Sequence, residues 1–129
     1  MKIGDYVFAK YKSGIYVGEL LQFEQPKAKV RMLAVHKHPT QGDLHHPMQL
    51  DVEMFHQRRA LSYREVANVH VNDISPYLET KIPEYEQSLR TALQLEIESM
   101  EQLGTPFAHK CLALLEQLRT EYWTSNHKI

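Results

Sequence analysis

All eight valines of this 129-residue chain lie at or before Val71, and eight of its fifteen leucines fall in the last 51 residues. β-branched side chains suit a pleated sheet, whereas Leu, Glu and Gln suit helices. Four of five glycines and four of six prolines also precede residue 79. The first half is therefore read as short strands and turns and the second as helix. The boundary falls near residues 79–82, with domains spanning 1–78 and 79–129. Charge divides at the same place. Residues 1–78 carry ten basic and eight acidic side chains, and residues 79–129 carry five and eight. The halves are thus +2 and −3. No internal repeat or low-complexity tract interrupts them.

In the first half, Tyr6–Tyr11 reads as a strand, closed by a Lys12-Ser13-Gly14 turn in which Gly14 can take a positive φ. Ile15–Glu24 follows, with Ile15, Val17, Leu21 and Phe23 on one face, and Gln25-Pro26 ends it. From Lys27 to Val35, Ala28, Val30, Met32 and Ala34 alternate with Lys27, Lys29 and Arg31, the period of a half-buried strand. Ala60–Arg64 and Ala67–Val71 read as two further strands, and Asn72–Pro76 as a terminating turn. About five short strands at hairpin spacing predict a small barrel rather than an open sheet.

The second half predicts an antiparallel helical hairpin. Pro83 suits a first helical position, with Glu84 and Glu86 at the positive end of the helix dipole. Leu89, Leu93, Ile97 and Met100 form an apolar stripe, and Phe107, Cys111, Leu114, Leu118 and Tyr122 form a second. Between them Gly104 stops one helix, Thr105 caps the next and Pro106 opens it. So short a link forces neighbouring helices to run antiparallel. The expected fold class is α+β, a small β-barrel followed by this hairpin.

Several functions are disfavoured at once. A net charge of −1 argues against a general polyanion binder. A single cysteine, Cys111, permits no intrachain disulfide and suits a reducing, cytoplasmic setting. The opening Met1–Asp5 lacks the apolar region of a signal peptide, and no cysteine near it offers a lipidation site. The longest apolar run, Cys111–Leu115, is far short of the roughly 20 residues that span a bilayer, so no membrane insertion is expected.

The residues with chemistry cluster in the middle. Between His36 and His46 lie four imidazoles and Asp43, and a metal-dependent hydrolase could use His36, His38, Asp43 and His45. The downstream ligands that make a zinc motif specific are missing, and loop-shaping hydrogen bonds are the simpler role, so no cofactor and no stoichiometric zinc are expected. Cys111 sits on an apolar stripe, where thiols are usually inert. His109 is followed by Lys110, not by the acid that tunes a phosphoacceptor imidazole. Lys27, Lys29 and Arg31 with Tyr6, Tyr11 and Tyr16 would suit a nucleic-acid-binding barrel, but the half is only +2, so no nucleic-acid partner is expected. The segment Asp51–Glu65 mixes aromatics, arginines and acids, a composition shared by protein interfaces and by loops held down through salt bridges.

The run Gly4-Asp5-Tyr6-Val7-Phe8-Ala9-Lys10-Tyr11, continuing to Glu19, is similar to the start of SH3-like barrels. A longer pattern resembles the kinase-associated protein B family of spore-forming bacilli. It consists of Val35–His45, Asp51-Val52, Phe55-His56, Arg58, Ala60-Leu61 and Arg64-Glu65, then Ile82-Pro83, Tyr85, Ser88–Arg90 and Ala92-Leu93. The resemblance implies an SH3-like barrel with a helical extension. It also implies a non-enzymatic accessory role beside a membrane-bound sensor histidine kinase that feeds the sporulation phosphorelay. That would place the chain in the cytoplasm, at the inner face of the membrane through the kinase. "Lipoprotein" occurs in family names, but this chain has no lipobox. Long ordered loops concentrate binding residues. The expected partner-binding set is therefore His38, Gln41, Asp43, His45, Asp51, Phe55, His56, Arg58 and Arg64, with a homodimer left open.

Overall fold

The computed structural model describes residues 1–52 and 55–126, of which 124–126 are described by backbone alone. The strands are β1 (Tyr6–Tyr11), β2 (Gly14–Glu24), β3 (Lys27–Lys37), β4 (Val66–His70) and β5 (Ile74–Pro76). A 3-10 turn at Val71–Asp73 precedes β5, and the helices are α1 (Tyr85–Leu103) and α2 (Pro106–Asn126). The chain divides into two compact units. One contains residues 1–39 and 60–92, the other residues 40–59 and the chain from Leu93 onward. The compositional boundary at 78/79 thus falls inside the first unit.

The first unit is built on one antiparallel sheet in the order β4-β3-β2-β1-β5. Among the described residues no β4–β5 pairing closes it, so the expected barrel is an open sheet by its hydrogen bonds. Its core side carries Val7 and Ala9 of β1 and Val30 and Met32 of β3 on alternating positions, all buried. In β2 the slip between Val17 and Gly18 breaks the alternation, so that Tyr16, Val17 and Leu20 are buried and the expected face of Ile15, Leu21 and Phe23 is not. Register slips between Ile15 and Tyr16, Val17 and Gly18, and Leu20 and Gln22 mark irregularities in the long β2–β3 ladder, of the kind that bend a sheet. At Gly18 the backbones come close. A Cβ there would lie 2.5 Å from a Val30 methyl and 2.6 Å from the Arg31 carbonyl oxygen.

Three local expectations are corrected. The β1–β2 turn takes its positive φ at Lys12 (45°) and Ser13 (70°), the two central positions of a tight hairpin turn. Gly14 instead begins β2. The Tyr16 ring fills the space beside Gly14, with its hydroxyl 2.8 Å from where a Cβ would stand. Ala60–Arg64 is not a strand. Leu61 donates its N–H to the Tyr16 hydroxyl at 3.2 Å, and its carbonyl accepts from the Tyr85 hydroxyl. Ile74–Pro76, expected as a turn, is the fifth strand and pairs with Val7–Ala9. The preceding 3-10 turn makes this reversal, with the His70 Nδ1 accepting the Asn72 N–H at 3.1 Å.

Helix α1 starts at Tyr85, two residues beyond Pro83, because the Glu84 carboxylate caps it. Glu84 accepts the N–H groups of Glu86 at 3.2 Å and Gln87 at 2.9 Å, the role of an N-cap acceptor. Ser88 fastens this first turn to the sheet by accepting the Val35 N–H at 2.9 Å. In the second unit Leu93, Ile97 and Met100 are buried, as are Phe107, Cys111, Leu115, Leu118 and Tyr122. Leu115 takes the place expected for Leu114, which is half-exposed. Gly104 has φ 64°, and the Thr105 hydroxyl accepts the Ala108 N–H at 3.1 Å. Glu96 and Cys111 lie about two helical turns on either side of this link, and both are buried. The Glu96 charge acts on the Cys111 thiol, the proximity an antiparallel hairpin requires.

Candidate protein-interaction site

The loop from Thr40 to Arg59 belongs to the second unit and is closed at its base by a polar clasp. Gln41 is only 2% exposed. Its side-chain amide donates to the Arg58 carbonyl at 2.9 Å, and its Oε1 accepts the Arg58 N–H at 2.7 Å. A glutamine amide can thus exchange the same pair of bonds that a neighbouring strand would. The Gly42 N–H donates to the His56 carbonyl at 2.9 Å, and Arg58 Nε donates to the Gly42 carbonyl at 3.1 Å. Gly42 has φ 111°, and a Cβ there would meet the Phe55 and Phe107 rings at 3.4 Å.

The clasp is anchored on α2. Phe55 packs against Phe107 with ring centroids 5.7 Å apart, and the Lys110 ammonium lies 5.9 Å from the Phe55 ring. Gln57 donates to the Leu114 carbonyl at 3.5 Å. Arg59 pairs with Glu121 at 2.7 Å and lies over the Tyr122 ring at 5.1 Å. These attachments hold both ends of an otherwise exposed arc.

Along the arc, Asp43 shapes its own turn. Its carboxylate accepts the His45 N–H at 2.8 Å and pairs with His46 Nδ1 at 3.1 Å. The His45 backbone bond first, then the His46 side chain, hold the Asp43 carboxyl below the usual carboxylate range. Beyond it, Leu44 is 39% exposed, Met48 56% and Leu50 43%. Three large apolar side chains facing water within seven positions form an unusual surface for a loop tied down so firmly. Met48 also has a positive φ of 63°.

The structure distributes the sequence-predicted residues among three settings. Gln41, Phe55 and Arg58 form the clasp and its anchor, and Asp43 organises the turn. His45, Asp51 and His56 are exposed on the loop. His38 and Arg64 belong instead to the first unit. His38 is fully buried, its Nδ1 bonded to the Pro39 carbonyl at 3.0 Å. Burial pushes its pKa down from 6.5 to about 4. Arg64 sits at φ 69° and its N–H donates to the Met32 carbonyl at 2.7 Å. Glu53 and Met54, within the interface-like segment read from sequence, lie outside the described residues. Leu44, Met48 and Leu50 escaped the sequence reading. Apolar residues without a period carry no sign of which way they face.

The residues of the alternative readings are held in separate settings. His36 stacks edge-on against Phe8 at 5.0 Å, His38 is enclosed, and His46 is occupied by Asp43. Among the described residues no three His, Cys, Asp or Glu side chains converge. For nucleic acid, Tyr16 is buried and unavailable for stacking, and Glu19 pairs with Arg31 at 3.4 Å. Glu24 faces Lys27 across the β2–β3 ladder. Acids thus offset part of the basic strip.

Comparison with known proteins accords with this architecture. The family described as "Kinase associated protein B" matches residues 11–123. Kinase-associated lipoprotein B of Bacillus subtilis (strain 168) is 38% identical over 120 residues, which cover 93% of each chain. The crystal structure of kinase-associated protein B from Bacillus cereus aligns with a TM-score of 0.79 at 34% identity. The alignment covers 95% of this chain and 97% of that one. An α+β protein with an open five-stranded sheet and two C-terminal helices, this chain belongs to the kinase-associated protein B family. Among the described residues no helix is long and apolar enough to cross a membrane.

Proposed function

We propose that this chain is a non-enzymatic accessory protein that binds a sensor histidine kinase feeding the sporulation phosphorelay, and that the clasped loop Thr40–Arg59 supplies the recognition surface. The observation that carries the reading is the loop itself. Leu44, Met48 and Leu50 stand exposed on a loop whose base is closed by Gln41, Gly42 and Arg58. Closing the base of a loop lowers the ordering entropy it loses on binding, which raises affinity without new contacts. Family membership and the name of the B. subtilis relative, a kinase-associated lipoprotein, support a kinase as the partner. His45 and Asp51, next to Leu44 and Leu50 in sequence, and His56 on the same loop are exposed and supply its polar groups. Arg58 and Phe55 act by holding the loop, and His38, Gln41 and Arg64 by fixing backbone.

The same reading places the protein in the cytoplasm, drawn to the inner face of the membrane by the kinase. It also takes the five described strands, all within residues 1–78, as an SH3-like fold left open between β4 and β5, and residues 79–129 as its helical extension. The strand order and the 3-10 turn before the last strand support that classification. The test is a pull-down with purified cytoplasmic fragments of sensor histidine kinases, run with wild type and with Leu44→Ser/Met48→Ser. One fragment retained by wild type and not by the variant is the expected result. Equal retention of all fragments by both proteins would refute it. Light scattering at the same concentrations shows whether the trio serves a homodimer instead.

A further inference from the structure

The two edges of the sheet differ. At β5 the outer side offers no donor, because the Ile74 N–H is bonded to the Val71 carbonyl and Pro76 has no N–H. At β4 the ladder is fixed in phase at both ends. The Met32 N–H donates to the Glu65 carbonyl at 2.9 Å, and the Val71 N–H donates to the Pro26 carbonyl at 3.0 Å. Between these bonds the register runs without a slip, with Val30 opposite Ala67 and Ala28 opposite Val69. Main-chain groups alternate in direction along a strand, so Ala67 and Val69 bond to β3 while Val66, Asn68 and His70 turn their N–H and C=O groups outward. Among the described residues no strand pairs with that side and no main-chain bond reaches those groups. All three residues are exposed. Native edges are commonly blunted by proline or an inward charge. Val66–His70 has neither, since its buried side chains are Ala67 and Val69.

Charge narrows the occupant. Opposed residues of an antiparallel pair share a face. Lys27, Lys29 and Arg31 of β3 therefore stand beside His70, Asn68 and Val66 on the outer face. Glu19 pairs with Arg31 and Glu24 lies opposite Lys27, but Lys29 lies opposite Gln22. Lys27 and Lys29 are exposed, and among the described residues neither holds an ion pair. β4 itself contains no acid. A strand added to β4 would lie about 10 Å from β3, two strand spacings, close enough for a glutamate to meet a lysine. A second copy of β4 would instead bring another set of the same cations to the edge. A phosphate backbone could use the lysines, but it has no donor for the outward carbonyls.

The structure assigns the β4 edge as a docking site for an extended acidic segment of a partner protein, added antiparallel as a sixth strand. Such segments bind by main-chain bonds, with alternate side chains giving specificity. The residues opposite Val66, Asn68 and His70 are the ones whose own N–H and C=O groups bond to β4, and their side chains fall on the face of Lys27 and Lys29. Those are the acidic positions. The site is independent of the Thr40–Arg59 loop, and its test does not require the kinase. The probe is an acetylated, amidated peptide of seven residues that alternates threonine with three glutamates. A second peptide carries lysine in place of glutamate. A third is N-methylated at the three glutamates, which removes the donors facing β4 and keeps the charge. Backbone amide shifts of the full-length protein are followed by NMR during titration to millimolar peptide.

The expected result is saturable shifts at Val66, Asn68 and His70 with the glutamate peptide, and no saturation with either of the others. Lys29→Glu should weaken the glutamate peptide roughly fivefold, the upper end of what an exposed ion pair contributes. If that variant misfolds, the three peptides on the wild-type protein still decide. Equal binding of the glutamate and lysine peptides, undiminished binding of the N-methylated peptide, or no saturable shift at these amides would overturn the assignment. So would the same shifts on raising the protein concentration alone, which would give the edge to a second copy.

Discussion

Removing the Gln41 amide should loosen the whole base of the Thr40–Arg59 loop. Gln41→Ala deletes two hydrogen bonds, at 2.9 and 2.7 Å, and strips partners from both the N–H and the carbonyl of Arg58. Each such bond contributes about 0.5–1.5 kcal/mol net, and an orphaned buried group costs about 1–3 kcal/mol. Arg58 is only half-buried, so water recovers part of that cost. The sum is about 2 kcal/mol, or roughly 30-fold in the opening equilibrium of the clasp. The amide of Arg58 itself is a poor reporter, because its acceptor is gone. The Gly42 amide is better, since it bonds to the His56 carbonyl without using the Gln41 side chain. Hydrogen exchange followed by NMR should show Gly42 losing roughly 30-fold protection in Gln41→Ala, while Leu20 and Val30 in the sheet keep theirs. Unchanged Gly42 protection would refute the clasp as a cooperative device, because it would mean that the remaining bonds hold the loop without Gln41.

Other outcomes follow from the same geometry. Gly18→Ala would place a methyl within 2.6 Å of the Arg31 carbonyl oxygen and should cost about 1–3 kcal/mol in denaturant unfolding; a loss below 0.5 kcal/mol would show that the β2–β3 ladder yields there. His38 has a folded-state pKa of about 4 against 6.5 unfolded, so as pH falls the unfolded chain takes up the proton first. Its contribution is complete above pH 6.5 and is lost between 6.5 and 4, by at most about 3 kcal/mol. Unfolding across that window should flatten in His38→Gln. Burial, and then the Glu96 charge, push the Cys111 thiol up to about 11. Native protein should therefore react with a thiol reagent only slowly, and denatured protein at once.

The sequence revealed the parts of the fold that depend on near neighbours. The valine–leucine split, the alternation from Lys27 to Val35 and the Leu89–Leu93–Ile97–Met100 stripe each report a local period, and each is present in the structure. The errors arose where a distant partner decides. Ala60–Arg64 has strand composition, but Leu61 spends its backbone groups on the hydroxyls of Tyr16 and Tyr85. Ile74–Pro76 is too short to show a period and becomes a strand only because β1 lies beside it. The site was legible as a region and not as a mechanism. Gln41 and Arg58 both stood out in composition, yet their mutual bonds span seventeen positions. Composition likewise could not show that His38 is enclosed while Met48 faces water.

The central claim is that an apolar trio on a clasped loop binds the kinase. It is tested most directly by calorimetric titration of the kinase fragment retained in the pull-down into wild type and into Leu44→Ser/Met48→Ser/Leu50→Ser. These side chains are already exposed, so the melting temperature should shift little. If each acts as an interface anchor of about 1 kcal/mol, the affinity should fall at least tenfold. Unchanged affinity in a folded triple variant would contradict the account and place the kinase-binding surface elsewhere on the molecule.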